Sequence, residues 1–355
     1  MKNRDQLIDY LLEIQVSCSL SLDEEKKIVG EIFKNCWDTT PENLYRYRSC
    51  TDYNYEALLN DKLILTKPTL FNDPYDSLLF IDKHSILQTL KNGEQDNVDF
   101  IGLIKSNIQF REEQEQSLGK ELVERFANLK PYKSKIEELV SKQLSIKKIL
   151  TEAEVFIETS LKSLKQSSLV GCFSEDVSSI LMWSHYAQNH KGFALNYDFK
   201  SMYYIDVGIP NVVGSHFVDK KLFPVKYSDE RYDATAYIDF HMLDAFYKSV
   251  DLEYHEPFFD KLFYYKIQLL KSKEWQYEKE WRIIQQTNID LFDGKPDFHY
   301  VENISPKEIF LGANINNADK DILIEISKKK NLPIFQMELD LFSKSYRLIP
   351  IEVKS

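Results

Sequence analysis

The stretch LYRYRSCTDYNYEALLNDKLILTKPTLFNDPYD, Leu44 to Asp76, carries the fold. LYRYRS is short, aromatic and strand-like, DYNYEALLNDK has the length of a short helix, and LILTKPTLF is a second strand ended by Asn72-Asp73-Pro74. The unit is strand, helix, strand. It recurs from Leu169, where LVGCFSE alternates as a strand, SSILMWSHYAQNHKG forms a short helix and GFALNYDF returns as a strand. After a loop with Pro210 and Gly214, FPVKYSDE reads as a strand, and a helix is expected over roughly Ala236 to Leu270, interrupted at His255-Glu256-Pro257. The end is strand-rich: WQYEKEWRII alternates, IFLGANI is a strand, DKDILIEISKKKN an amphipathic helix, and IFQMELD and YRLIPIEV close the chain as strands.

Upstream, Leu7, Ile8, Leu11 and Leu12, then Ile28, Ile32 and Phe33, recur at helical spacing, with Ser21 placed as an N-cap three residues before Glu24. Two helices are expected there. Residues 83–165, rich in Lys, Glu, Gln and Leu, read as almost continuous helix with breaks near Gly93 and Pro131, a helical insertion or lid. The predicted organisation is an N-terminal helical segment over 1–40, the first part of an α+β core over 41–82, a helical insertion over 83–166, and the remainder of the core over 167–355.

With 43% hydrophobic and 13% aromatic residues, a chain of 355 residues can bury a full core. The 45 Lys and Arg stand against 56 Asp and Glu, so the surface as a whole lacks the positive field of non-specific nucleic-acid binders, although a local basic patch stays open. Cys18, Cys36, Cys50 and Cys172 are scattered, which argues against a zinc cluster or a disulfide framework. There is no export signal and no apolar run long enough for a membrane span, so a cytoplasmic protein without a membrane partner is expected.

Four segments could carry chemistry. FNDPYD places Asn72, Asp73 and Asp76 around a proline turn at a strand end; an Asx turn is the structural alternative. CFSEDVSSILMWSHYAQNHKG gathers Ser174, Trp183, His185, Tyr186, His190 and Lys191. His185 and His190 miss the spacing of a helical metal pair, so no metal is expected, and Trp183 with Tyr186 at that spacing is more often core than a ring platform. YEKEWRII, as a strand, turns Glu278, Glu280 and Arg282 to one face. Such a face is either a set of ion pairs or a carboxylate pair able to orient a ribose hydroxyl and stabilise an oxocarbenium-like transition state. In LYRYRS, Arg46 and Arg48 lie on the face opposite Tyr45 and Tyr47; arginines there grip a phosphate or merely solubilise an edge, and Tyr47 could stack on a ring. No Gly-rich phosphate loop, nucleophile elbow or His-Glu-x-x-His string occurs.

LYRYRS, LILTKPTLFNDPYD, CFSED, LMWSHYAQNHKGFALNYDF and KEWQYEKEWRI together resemble the bacterial family catalogued as domain of unknown function twenty-nine seventy-one, over about Leu44 to Arg282. That family implies no activity. The order of elements also resembles the ADP-ribosyltransferase fold, which implies a split mixed β-sheet core. Tyr45-Arg46 or Tyr47-Arg48 would stand at the NAD-holding first strand, Thr66 to Asn72 at the second, and Glu278-Lys279-Glu280 at the catalytic glutamates. The sequence departs from that fold in lacking its Ser-Thr-Ser signature.

The resemblance implies an enzyme that cleaves the nicotinamide-ribose bond of NAD and passes ADP-ribose to water or to a macromolecular acceptor, in a defence or toxin setting. Glu280 would be catalytic with Glu278 and His185 beside it. Arg46, Tyr47, Arg48, Asn72, Asp73, Ser174, Trp183, Tyr186 and Arg282 would form the NAD pocket. The rival expectations are a non-catalytic nucleotide- or protein-binding module and a nuclease holding Mg²⁺ on Asp73, Asp76, Glu278 and Glu280.

Overall fold

The computed structural model describes residues 3–17, 20–87, 146–200, 222–238, 240–241, 260–286 and 298–353. Most of the expected insertion, including the breaks at Gly93 and Pro131, lies outside the described residues, as do Cys18, the Pro210–Gly214 loop and His255-Glu256-Pro257. The chain divides into two compact units.

The first unit comprises Met1–Leu78, Leu164–Arg231 and Asp260–Ser355. It opens with α1 (Arg4–Glu13), capped by Asn3, and α2 (Leu22–Thr39), where Ser21 and Glu24 form a reciprocal capping box. Then come β1 (Leu44–Arg48), α3 (Asp52–Leu59) and β2 (Leu63–Thr66), the expected strand, helix, strand. After α4 (Ile146–Gln166), whose residues up to Ser163 belong to the second compact unit, the strand, helix, strand pattern returns as β3 (Ser168–Ser174), α5 (Ile180–Tyr186) and β4 (Phe193–Tyr197). FPVKYSDE holds two short strands rather than one, β5 (Leu222–Pro224) and β6 (Lys226–Ser228). The helix expected to reach Leu270 stops short: α6 is only Phe263–Lys266, and Leu270 opens β7 (Leu270–Ser272). β8 (Glu280–Gln286), β9 (Phe298–Val301), β10 (Glu308–Leu311), α7 (Asn317–Lys330), β11 (Ile334–Leu339) and β12 (Leu348–Glu352) complete the unit.

Ten strands form one mixed sheet in which β10 and β11 run parallel and the other pairs antiparallel, so the chain is α+β. The sheet forks at β3. One side of β3 pairs along its whole length with β8, from Ser168 opposite Gln286 to Ser174 opposite Glu280. On its other side, β1 joins only at Tyr45–Ser174 and β2 only at Thr66–Val170. Between the diverging strands lies Arg46, whose Nη2 donates to the Ile64 carbonyl of β2 and whose guanidinium stands over the Phe173 ring. Gly171 beside it makes room for Leu65 of β2, since a Cβ there would stand 2.6 Å from Leu65 Cδ2, whereas Arg46 Nη1 at 3.5 Å would be in ordinary contact.

Two apolar layers sandwich the sheet. One joins α1, α2, α3 and α7 to the sheet through Leu7, Ile32, Leu58 and Leu323 against Phe173, Phe193, Leu195 and Trp281. The other seats Met182 and Trp183 of α5 on Tyr47, Ala194 and Phe310. Burial at roughly 25 cal/mol per Å² makes these layers the main source of stability.

The second unit comprises Leu79–Ser163 and Tyr232–Phe259. In it Phe80 bridges Asp233, and Lys83 pairs with Glu154 of α4 at 3.4 Å. Among the described residues no helix is long and apolar enough to cross a membrane.

Candidate functional site: a buried ion cluster beneath an aromatic lip

WQYEKEWRII is not one strand. Lys273–Glu278 winds as a 3₁₀ helix, Lys279 takes a left-handed φ of 46°, and only then does β8 begin at Glu280. The bend still delivers Glu278 to the face that Glu280 and Arg282 share by strand alternation. The three converge on Lys271 of β7 and on Asp76 of the FNDPYD turn.

Arg282 is fully buried, and all five of its N–H donors are used. Nη1 and Nη2 hold the two oxygens of Asp76 at 2.9 and 2.7 Å, Nε and Nη2 hold those of Glu280 at 2.8 and 3.0 Å, and Nη1 also reaches the Gln268 carbonyl. Paired forks of this kind are the strong form of a charged hydrogen bond. Lys271 Nζ lies 2.6 Å from Glu278, 3.1 Å from Glu280 and 3.4 Å from Asp76. Three carboxylates thus surround an ammonium where a metal reading would place a divalent cation. The donor set therefore fits the nuclease expectation poorly, and the Asx turn of FNDPYD is made by Asp73 rather than by Asn72, Asp73 Oδ1 accepting from the Tyr75 N–H.

Three acids against two bases leave one negative charge in excess, and the cluster places it unequally. For Glu280, burial alone would raise the pKa, but Arg282 and Lys271 outweigh it and hold the group well below the usual carboxylate range. For Glu278, burial and then the Glu280 charge push the pKa up to about 7, against the pull of Lys271 and Tyr186. Burial works against the Lys271 charge too, yet its three carboxylates raise its pKa above the ordinary value. Glu278 is the member whose proton is exchangeable near neutrality.

Glu278 is also the least deeply buried of the three carboxylates. Its Oε1 accepts from Tyr186 Oη at 2.5 Å, and Tyr186 in turn accepts from Nδ2 of the exposed Asn72 at 3.3 Å. Around this outlet stand His185, Trp275 and Tyr277, with the His185 ring 6.1 Å from each of the other two and Lys271 beneath the Trp275 ring at 5.1 Å. Burial and the Glu278 charge raise the Tyr277 phenol to about 12.

The other expected pocket residues disperse. Trp183 is fully buried, its indole N–H spent on the Val177 carbonyl at 2.6 Å, and Tyr47 packs edge-on against it with its hydroxyl on the Asp176 carbonyl. Both are core, so neither offers a ring to a ligand. Ser174 is buried and accepts from the Asp176 N–H in a local turn. Arg46 and Arg48 lie on the opposite face of the sheet: Tyr45 registers with Ser174 and Ser174 with Glu280, which turns the even-numbered β1 residues away from the cluster. A single pocket containing Arg48 and Glu280 is thereby excluded.

Lys271 and Trp275 complete the site without having been assigned to it from sequence, and Asp76, expected beside Glu278 and Glu280 only as a metal ligand, stands there as an ion-pair partner of Arg282. The one available signal was Lys271 directly after the apolar run Leu269-Leu270, a charge that needs partners once buried.

The fold and site define an α+β protein with a buried ion cluster beneath an aromatic lip. A family model described as protein of unknown function (DUF2971) matches residues 182–283, the span from α5 to β8 that supplies Tyr186, Lys271, Glu278, Glu280 and Arg282. No curated protein and no solved structure matches the chain.

Proposed function

We propose that the chain is an enzyme cleaving an N-ribosidic bond, with NAD as substrate and the nicotinamide-ribose bond as the one broken. The observation that carries this reading is Glu278, held between Lys271 and Tyr186 with a pKa near 7 under a lip of rings. Nicotinamide leaves NAD as a neutral molecule, so the protein's tasks are to stabilise the oxocarbenium-like ribosyl cation and to take a proton from the attacking water or acceptor hydroxyl. A carboxylate poised near neutrality does both. Glu278 therefore takes the catalytic role, and Glu280, saturated by Arg282 and Lys271, keeps Lys271 and Arg282 in place. In this reading Tyr186 and Asn72 would hold ribose hydroxyls, and the neighbouring rings of His185, Trp275 and Tyr277 would stack on nicotinamide. Uncontrolled cleavage of NAD harms the cell that makes the enzyme, which suits a defence or toxin setting with a macromolecular acceptor or regulator.

The test is release of free nicotinamide from NAD, followed by chromatography with cell lysate present as acceptor, for the wild type, Glu278→Gln and Glu280→Gln. The wild type is expected to release nicotinamide with a rate that rises through about pH 7, and Glu278→Gln to lose it by roughly a hundredfold or more while staying folded. No turnover by the wild type overturns the reading; NAD bound without turnover replaces it with a non-catalytic nucleotide-binding module.

A further inference from the structure

On the sheet face away from the ion cluster, the fork between β1 and β2 encloses a cavity of about 10 Å³ bordered by Arg46, Arg48, Asn54, Lys62 and Tyr197. That is room for one water-sized group. Arg46 is 5% exposed and borders it with an unfinished hydrogen-bond set: Nη2 meets the Ile64 carbonyl, whereas Nε and Nη1 have no partner. A guanidinium carries five N–H donors and is expected to use them when buried. Among the described residues no carboxylate pairs with Arg46 or Arg48. Asp61, in the turn before β2, is taken by Lys330 at 2.7 Å. Burial, and then Arg48, pull the Arg46 pKa down to about 9, the signature of a cation kept without a counter-charge.

Beside this basic mouth stands a second feature. Tyr53, Phe298 and Tyr300 form a ring cluster with centroids 5.7 to 6.0 Å apart. Lys62 Nζ lies over the Tyr300 ring at 5.3 Å, which joins the cations to the rings. Tyr53 and Phe298 are 39% and 41% exposed, an open aromatic surface next to an uncompensated positive charge.

We propose that this recess binds a nucleotide, one phosphate oxygen entering between the free Arg46 donors, Arg48, Lys62 and Asn54 holding the remaining phosphate oxygens, and the base resting on Tyr53 and Phe298. The site is separate from the Glu278 centre because the β1–β3–β8 register sets the two on opposite faces.

The test is calorimetric binding of adenosine 5′-monophosphate, inorganic phosphate and adenosine to the full chain. The monophosphate is expected to bind in a salt-sensitive manner and more tightly than phosphate, with adenosine weakest. Arg48→Gln and Lys62→Met, both at the half-buried mouth, should each weaken the monophosphate by roughly tenfold, which corresponds to about 1.4 kcal/mol. Tyr53→Ala should weaken the monophosphate and leave phosphate unchanged, and Glu278→Gln should change neither. Arg46→Met should abolish both; should it fail to fold, the two mouth variants decide. Binding of neither phosphate compound, or binding indifferent to Arg48→Gln and Lys62→Met, overturns the site. Equal binding of phosphate and monophosphate overturns its assignment to nucleotides, and loss of binding in Glu278→Gln overturns its separation from the ion cluster.

Discussion

The two faces of the β1–β3–β8 region bury arginine in opposite ways. Arg282 is surrounded by Asp76 and Glu280 with Lys271 beside it, a set of charges that satisfies itself. Arg46, scarcely less buried, has one carbonyl and a phenyl ring. The same side chain thus fixes a scaffold on one face and stands unfinished on the other. Burial of charge is therefore not itself a sign of function; what distinguishes the two is whether the partners are already present.

Removing each arginine is the sharpest way to break the comparison. Arg282→Met would strand the Asp76 and Glu280 carboxylates in the interior, and urea unfolding should show a loss of about 3–5 kcal/mol. Arg282→Lys should recover only part of it, because an ammonium cannot hold two carboxylates by paired forks. Next in size is Gly171→Ala, whose Cβ at 2.6 Å from Leu65 Cδ2 would make the fully buried Leu65 side chain repack, at a cost of about 1–3 kcal/mol by the same measurement.

The ion cluster also makes stability depend on pH. Glu278 has a folded pKa raised to about 7, above its unfolded value, so it binds a proton more tightly in the native state. Stability that depends on that proton is present below the unfolded carboxylate pKa and is lost as pH rises towards about 7. The wild type should lose stability relative to Glu278→Gln by up to about 1.4 kcal/mol per pH unit across that window. Parallel pH dependences in the two proteins would contradict it. The smallest effect belongs to Arg46→Met, which removes an uncompensated charge and orphans only the Ile64 carbonyl. Its stability should lie within about 1 kcal/mol of the wild type, several-fold less than the cost at Arg282.

Much of the fold was legible because local signals agreed. Ser21 and Glu24 announce α2, and the runs LYRYR, LILT and FALNY have the aromatic and β-branched texture that became β1, β2 and β4. The charged site was legible in part. Glu280 and Arg282 share a face as strand alternation requires, but Glu278 arrives there through a left-handed Lys279, a conformation that no residue in Tyr277-Glu278-Lys279-Glu280 announces. Lys271 was missed because the helical reading ran to Leu270, just short of it, whereas the chain there is β7, paired in parallel with β6. Which face of the sheet Arg46 and Arg48 occupy relative to Glu280 depends on the register of β1 against β3. Register is set by long-range pairing, and two separated sequence segments do not specify it.

The fork at β3 has a consequence for how the chain acquires its structure. β3 takes partners on one side from the first seventy residues and on the other from β8, and Asp76 meets Arg282 across 206 residues of sequence. Contacts so distant require large loops to close before they return any stabilisation, which places this chain among slow folders. During synthesis the early strands and Asp76 leave the ribosome well before β8 exists. The cluster that carries the proposed activity is thus assembled late, and a chain interrupted before β8 retains the acidic turn without the arginine that holds both oxygens of Asp76.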